Sequence, residues 1–214
     1  MPPKFFLLLL FSSAAFPQRL LVGAKGGIPL TTGFSGGIDY HTVYSPIVRR
    51  YVFGPTVDIG LSRNVRLDLD VLYRRTGWDS FGRLVDQLEP FQSTVRIGAW
   101  DFGALPKRVL RNNSGLRPYA GAGVTFRRFF TTRQVFHQFG NPRLDISKQK
   151  VAELRRKNVA GLAFAAGFEA GRTVRVAPEF RYTRWLMNNV HDAFVGIHTQ
   201  ANQAEFLVSF TFRP

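Results

Sequence analysis

The feature that most constrains this chain is a period of two, held through two successive runs. In residues 51–61, Tyr51, Phe53, Pro55, Val57, Ile59 and Leu61 alternate with Gly54, Thr56, Asp58 and Gly60. After Ser62-Arg63-Asn64 the pattern resumes: Val65, Leu67, Leu69, Val71 and Tyr73 alternate with Arg66, Asp68, Asp70, Leu72 and Arg74. Strand side chains point alternately to opposite faces, so the two runs predict a hairpin with one apolar and one polar face. Strands of soluble proteins usually have about five or six residues. A tilted strand that crosses a bilayer needs about 9–11, which is the length of these runs.

The same alternation recurs near Leu20–Gly26, Trp100–Leu110, Arg117–Phe129, Val159–Glu169, Thr173–Trp185 and Asn202–Phe212, for a total of eight strands. The connections alternate in length. Short turns at 62–64, 111–116 and 170–172 carry Asn, Ser or Gly, whereas 27–50, 76–93, 131–158 and 186–201 read as long irregular loops. Within the third loop, Ser147–Asn158 reads as a basic helical turn. Short turns on one side and long loops on the other are the wiring of membrane barrels. The fold predicted is all-β: an eight-stranded antiparallel up-and-down transmembrane β-barrel, with both termini on the side of the short turns.

The start of the chain reads as an export signal. Lys4 precedes the apolar run Phe5–Phe11, and the small residues Ser12-Ser13-Ala14-Ala15 follow. The organisation expected is a signal peptide at 1–18, cut between Ala15 and Gln18, and one barrel domain at 19–214. The apolar run is too short for a membrane helix, and no other stretch approaches about 18 successive apolar residues. Among 214 residues there is no cysteine, which excludes a disulfide framework and thiolate metal sites. The formal charge of +15 points to an anionic partner. For an exported chain that partner is a membrane surface, not nucleic acid.

Alternation does not say which face points inward, and a soluble lipocalin-like barrel is the rival. Three features favour the membrane. Each strand is long enough to cross. Tyr51, Tyr73, Trp100, Tyr182 and Trp185 stand near the ends of the apolar stripes, where interfacial girdles lie. The polar face carries mostly small residues with isolated charges, which suits the narrow interior of eight strands. Ile59 and Leu69 are therefore expected to face lipid, and Asp58 and Asp70 the lumen.

Three segments carry a resemblance: Arg117-Pro118-Tyr119-Ala120-Gly121-Ala122-Gly123-Val124, Pro178-Glu179-Phe180-Arg181-Tyr182-Thr183-Arg184-Trp185, and the closing Phe206-Leu207-Val208-Ser209-Phe210-Thr211-Phe212. In these the chain resembles the outer-membrane β-barrel domain family, the OmpA, OmpX and OmpW-like eight-stranded barrels, over residues 19–212. The resemblance implies a bacterial outer-membrane location and no cofactor. It also implies that Phe206, Phe210 and Phe212 signal to the barrel-assembly machinery. Arg213-Pro214 after the last Phe departs from that signal.

The polar face sets Asp58, Asp68, Asp70, Asp101, Glu169, Glu179 and Glu205 against Arg66, Arg74, Lys107, Arg127, Arg175 and Arg181. Charges in a narrow barrel need partners, since an unpaired one carries a large desolvation cost. The reading favoured is a lumen network of ion pairs; a narrow path for ions or small molecules is the alternative. Asp68 and Asp70 share a face and could mimic a catalytic carboxylate pair, but Arg66 and Arg74 on the same stripe make structural pairing simpler. His41, His137, His191 and His198 fall in the long loops. His191-Asp192 with His198 has no specific metal spacing, and no motif supports a lipid hydrolase. Arg49, Arg50, Arg75, Arg128, Arg155, Arg156, Lys157 and Arg184 lie where strands leave for long loops. They are candidates for pairing with phosphates of lipopolysaccharide or other anionic membrane lipid. A monomeric, non-enzymatic barrel of structural or binding role is expected.

Overall fold

The computed structural model describes residues 20–36, 42–45, 51–83, 90–110, 115–138, 144–147, 158–187 and 197–214. The signal-peptide reading at 1–18 lies outside them. So does most of the segment read as a helical turn.

Twelve strands are present among the described residues: β1 (Leu20–Pro29), β2 (Phe34–Gly36), β3 (Thr42–Ser45), β4 (Tyr51–Gly60), β5 (Val65–Arg83), β6 (Pro90–Val109), β7 (Arg117–Gln138), β8 (Leu144–Ser147), β9 (Asn158–Glu169), β10 (Val174–Trp185), β11 (Ile197–Thr199) and β12 (Asn202–Phe212). Eight of them close a ring, β1-β4-β5-β6-β7-β9-β10-β12, in which every neighbour is antiparallel and β12 returns to β1. Closure leaves the ring with no free edge, so its backbone groups are satisfied without water. At two short-turn positions the backbone needs glycine. Gly115 and Gly171 have φ of 77° and 97°, a region that costs side-chain-bearing residues dearly.

The faces are those of a barrel turned inside out. Phe53, Leu69, Phe102, Val124, Phe126, Leu162, Phe164, Phe180, Phe206 and Phe210 stand exposed on the outside. Lys25, Asp68, Asp70, Arg74, Asp101, Lys107, Arg127, Glu179, Arg181 and Glu205 are buried inside. An apolar belt around a charged interior is stable in hydrocarbon and costly in water, which excludes the lipocalin-like arrangement.

Three findings depart from or add to those expectations. First, 76–93 is not a long loop, because β5 runs on to Arg83 and β6 starts at Pro90. Likewise 131–138 belongs to β7, and β1 extends to Pro29. These extensions lack a clean apolar stripe, since beyond the bilayer neither face need be greasy; cross-strand hydrogen bonds carry the strands onward. Second, a bulge at Phe130 shifts the β6–β7 pairing between Gly98 and Ala99. Past it the parity of β7 reverses, so Arg133 is exposed opposite Arg96 although Arg127 points inward. Third, Trp185 is not part of an outer girdle. It is buried, together with Phe34, Trp78, Val95, Ile97, Ala99, Phe129 and Val159, in an apolar cap at the long-loop end of the lumen.

Beside the cap, β2 and β11 pair as a separate two-stranded sheet that ties the connection after β1 to the one before β12 and contributes Phe34 to the cap. Phe34 of β2 packs edge-on against Trp78 at 5.0 Å. The end carrying the long connections is thus closed by side chains from six strands, β2, β5, β6, β7, β9 and β10.

Candidate functional site: the charged lumen and its rims

Because β-strand parity is strict, one inward stripe from each of eight strands converges on the barrel axis; that of β9 is small and apolar up to Glu169. The charges there fall into three groups along the axis.

The middle group has three acids and three bases. Lys25 Nζ lies 2.5 Å from Asp68 and 3.0 Å from Asp70. Lys107 Nζ lies 2.5 Å from Asp68 and 2.6 Å from Glu179. Arg181 donates to Asp70 and to Glu179, each at 2.7 Å. Neutral donors complete the set: the Thr56 hydroxyl donates to Asp68 at 2.8 Å, and the Tyr119 hydroxyl to Glu179 at 3.0 Å. Gly103 makes room for this group, since a Cβ there would stand 2.3 Å from Asp70 Oδ1.

Towards the cap lies a second group with two acids and two bases. Arg127 grips Asp101 with two bonds, Nε to Oδ1 at 2.6 Å and NH2 to Oδ2 at 3.0 Å. Arg74 donates to Asp101 at 3.0 Å and also to Glu205. Arg127 further donates to Gln203 Oε1 at 3.1 Å and lies 4.1 Å from the centre of the Trp185 ring. Leu72 stands between Asp70 and Arg74 on β5 and packs with Val52 and Leu207, so an apolar spacer lies beside the charged groups.

The third group is at the short-turn mouth. Arg66 bonds Glu169 at 2.5 Å and stands 3.7 Å from Asp58; Arg117 reaches Glu169 at 3.0 Å. Here the pairing is incomplete: Asp58 Oδ1 and Arg175 Nε are buried without a hydrogen-bond partner. Both residues line a cleft with Ser209 and Thr211, a place for water.

In the two inner groups, five acids (Asp68, Asp70, Asp101, Glu179, Glu205) face five bases (Lys25, Arg74, Lys107, Arg127, Arg181). A buried network of this kind is tolerable only when every member is paired, as these are. Its charge cancels, so the chain's formal +15 resides almost wholly on the mouths, rims and connections.

Lys25 was missed in the sequence. It is the one charge in a short glycine-rich run, and the signal that could have found it is numerical: seven acids against six bases on the polar stripes call for another base. Arg117, also missed, sits at the first residue of its strand, where parity is hardest to read.

Of the candidate headgroup ligands, Arg128 and Arg184 are exposed and Arg75 is half-buried on the outer surface. Arg75 and Arg128 flank a cluster of outward aromatics in which Tyr73 lies 5.4 Å from Trp100 and 6.0 Å from Phe130. Arg184 donates to Asn202 Oδ1 at 2.6 Å, and Tyr182 shares that acceptor at 2.7 Å. Arg49, Arg50, Arg155, Arg156 and Lys157 lie outside the described residues, as do His41 and His191. His137 is in β7 and His198 in β11, on separate parts of the fold. Phe206, Phe210 and Phe212 project outward from β12, the strand that closes the ring against β1.

Among solved structures, the chain is similar to the outer membrane protein OprG from Pseudomonas aeruginosa, with 15% identity over 92% of this chain and 95% of that one, at a TM-score of 0.52. This is the outer-membrane β-barrel fold. Neisserial surface protein A aligns with this barrel at 12% identity over 93% of this chain and 100% of its own, with a TM-score of 0.49. No protein-family model and no curated protein matches the sequence. The likeness to OprG is thus one of fold.

Proposed function

We propose that this chain is a structural and binding barrel of the bacterial outer membrane, not an enzyme. Its lumen is shut, and its outer rim engages the phosphates of anionic lipid, lipopolysaccharide included. The observation that carries this reading is the separation of charge. Ten charged side chains cancel across the lumen, an apolar cap covers one end, and exposed guanidiniums stand on the outside.

The outer rim supports the lipid half of the reading. Arg128 projects outward level with Trp100, and Arg75, Arg96 and Arg184 project outward beyond Tyr73, Trp100 and Tyr182. Aromatic rings of that kind settle at the headgroup boundary. A guanidinium next to them meets phosphate oxygens in a partly dehydrated layer, where charge-assisted bonds are strong. Asp68 and Asp70 are each held by buried bases, which favours structural pairing over a catalytic carboxylate pair.

Two experiments test the reading. In planar bilayers the refolded protein should give no conductance steps; stable single-channel steps would replace it with a transport function. Arg75→Gln/Arg96→Gln/Arg128→Gln/Arg184→Gln should fold normally and retain several-fold less lipopolysaccharide on purification. Equal retention would remove the lipid assignment.

A further inference from the structure

The short-turn rim is also basic, and it is built differently. Arg63 lies in the β4–β5 turn, Arg108 near the end of β6, Arg172 in the β9–β10 turn and Arg213 just after β12. All four are exposed, and they are distributed around the ring rather than gathered on one side. Each has an exposed apolar neighbour one or two residues away: Leu61, Leu110, Val174 and Phe212. The acids at this end, Asp58 and Glu169, face the lumen and are engaged there by Arg66 and Arg117, so none among the described residues is exposed beside the four.

No outward Tyr or Trp marks this end among the described residues. Tyr51, Tyr73, Trp100 and Tyr182 all lie on the half of the wall towards the long connections. Something other than an aromatic girdle must set the depth of the barrel here. The turns are too short to lift an arginine away from the bilayer: with Leu61 in hydrocarbon, Arg63 two residues on is at the level of the phosphates, and Arg108, which pairs with the exposed Val65 one step inboard of Leu110, reaches that level by extending its side chain outward along the wall. Arginine pairs with phosphate through parallel bonds and keeps its charge there.

We propose that Arg63, Arg108, Arg172 and Arg213 form a ring that selects anionic phospholipid, of the phosphatidylglycerol class, in the leaflet beneath the short turns. The proposal rests on the membrane reading above but not on the outer rim or on a closed lumen. Each guanidinium takes the phosphodiester of one lipid while its apolar neighbour contacts the acyl chains. Sites of this design recruit anionic lipid from a mixed leaflet instead of binding one molecule in a pocket.

The absence of cysteine permits a local test. Leu110→Cys labelled with bimane places a fluorophore among the proposed lipids. In mixed vesicles, quenching by brominated phosphatidylglycerol should exceed quenching by brominated phosphatidylcholine, about fivefold in relative affinity. Arg63→Gln/Arg108→Gln/Arg172→Gln/Arg213→Gln in the same labelled chain should bring the two lipids level. The outer-rim quadruple variant should leave the preference intact.

A ratio near one in the unsubstituted rim, or a preference that survives loss of the four arginines, overturns the proposal. Displacement of phosphatidylglycerol by soluble glycerol phosphate would assign the ring to free phosphate instead. Displacement by soluble peptidoglycan fragments would assign it to cell-wall polymer. Both results overturn it. No quenching by either brominated lipid would sink the membrane reading itself, which keeps the two failures apart. A heat-modifiable gel band confirms that each variant is folded.

Discussion

The guanidinium of Arg127 lies 4.1 Å from the centre of the Trp185 ring while its Nε and NH2 hold both oxygens of Asp101. One side chain thus joins the lumen's ion pairs to the apolar cap above them. Trp185→Ala should open a cavity in the cap and strip Arg127 of its ring contact. Loss of a buried aromatic of this size costs about 3–5 kcal/mol. Reversible urea unfolding in vesicles measures it; a change below about 1 kcal/mol would mean that the cap is not a packed unit.

Lys25 is the residue on which the middle group's neutrality depends. Lys25→Met leaves Asp68, Asp70 and Glu179 facing two bases, an uncompensated buried charge. The expected destabilisation is about 3–5 kcal/mol. Adding Asp70→Asn should restore part of it, so the double variant is more stable than the sum of the singles predicts. Simple additivity in that cycle would show that the two side chains act independently.

Gly103 lies opposite Asp70 on the neighbouring strand, and its missing side chain is what admits the carboxylate. Gly103→Ala should displace Asp70 from Arg181 and cost about 1–3 kcal/mol, the usual penalty of overpacking. Gly26→Ala has no atom closer than 3.4 Å to meet and should be nearly neutral. Comparable losses at both positions would point to a general glycine effect rather than to this contact.

The two faces of β5 can be told apart by charge. Leu69 is exposed on the outside and Asp70 buried within. Leu69→Arg should destabilise the barrel in bilayers by about 2–4 kcal/mol, the cost of arginine on the lipid face near mid-depth. Ile59 pairs with Leu20 and Leu67 close to the short turn, so Ile59→Arg should cost less, about 0–1 kcal/mol. Spin labels at 57 and 69 should respond to lipid-dissolved oxygen. Response to a water-soluble quencher instead would turn the barrel inside out.

Phe212 ends the strand that closes the ring, pairing with Val22 on one side and Val174 on the other. Phe212→Ala should slow assembly in cells, whereas removal of Arg213-Pro214 should leave it intact. Pulse-labelling with the heat-modifiability readout follows both. Matched assembly rates for Phe212→Ala and the unaltered chain would show that this ring is no part of an assembly signal.

The sequence by itself determined the parity of the wall. Alternation in 51–61, 65–74 and 202–212 decides that Leu69 and Asp70 face opposite ways, because successive strand side chains must do so whatever the chain pairs with. It also determined the number of crossings and most of the polar residues that share the lumen, though not Lys25 or Arg117. Tertiary structure alone decided the partners. Asp70 meets Lys25 and Arg181, 45 and 111 residues away, because closure and stagger bring β1, β5 and β10 to one level. Those are properties of the whole ring, invisible in any local run. Trp185 shares its parity on β10 with Glu179 and Arg181 and so turns inward by alternation, but only the tertiary structure decided its partners in the cap; it alone also decided the long extensions of β5, β6 and β7. Outside the bilayer the faces are no longer sorted by polarity, so the period that reveals a strand fades while its hydrogen bonds persist.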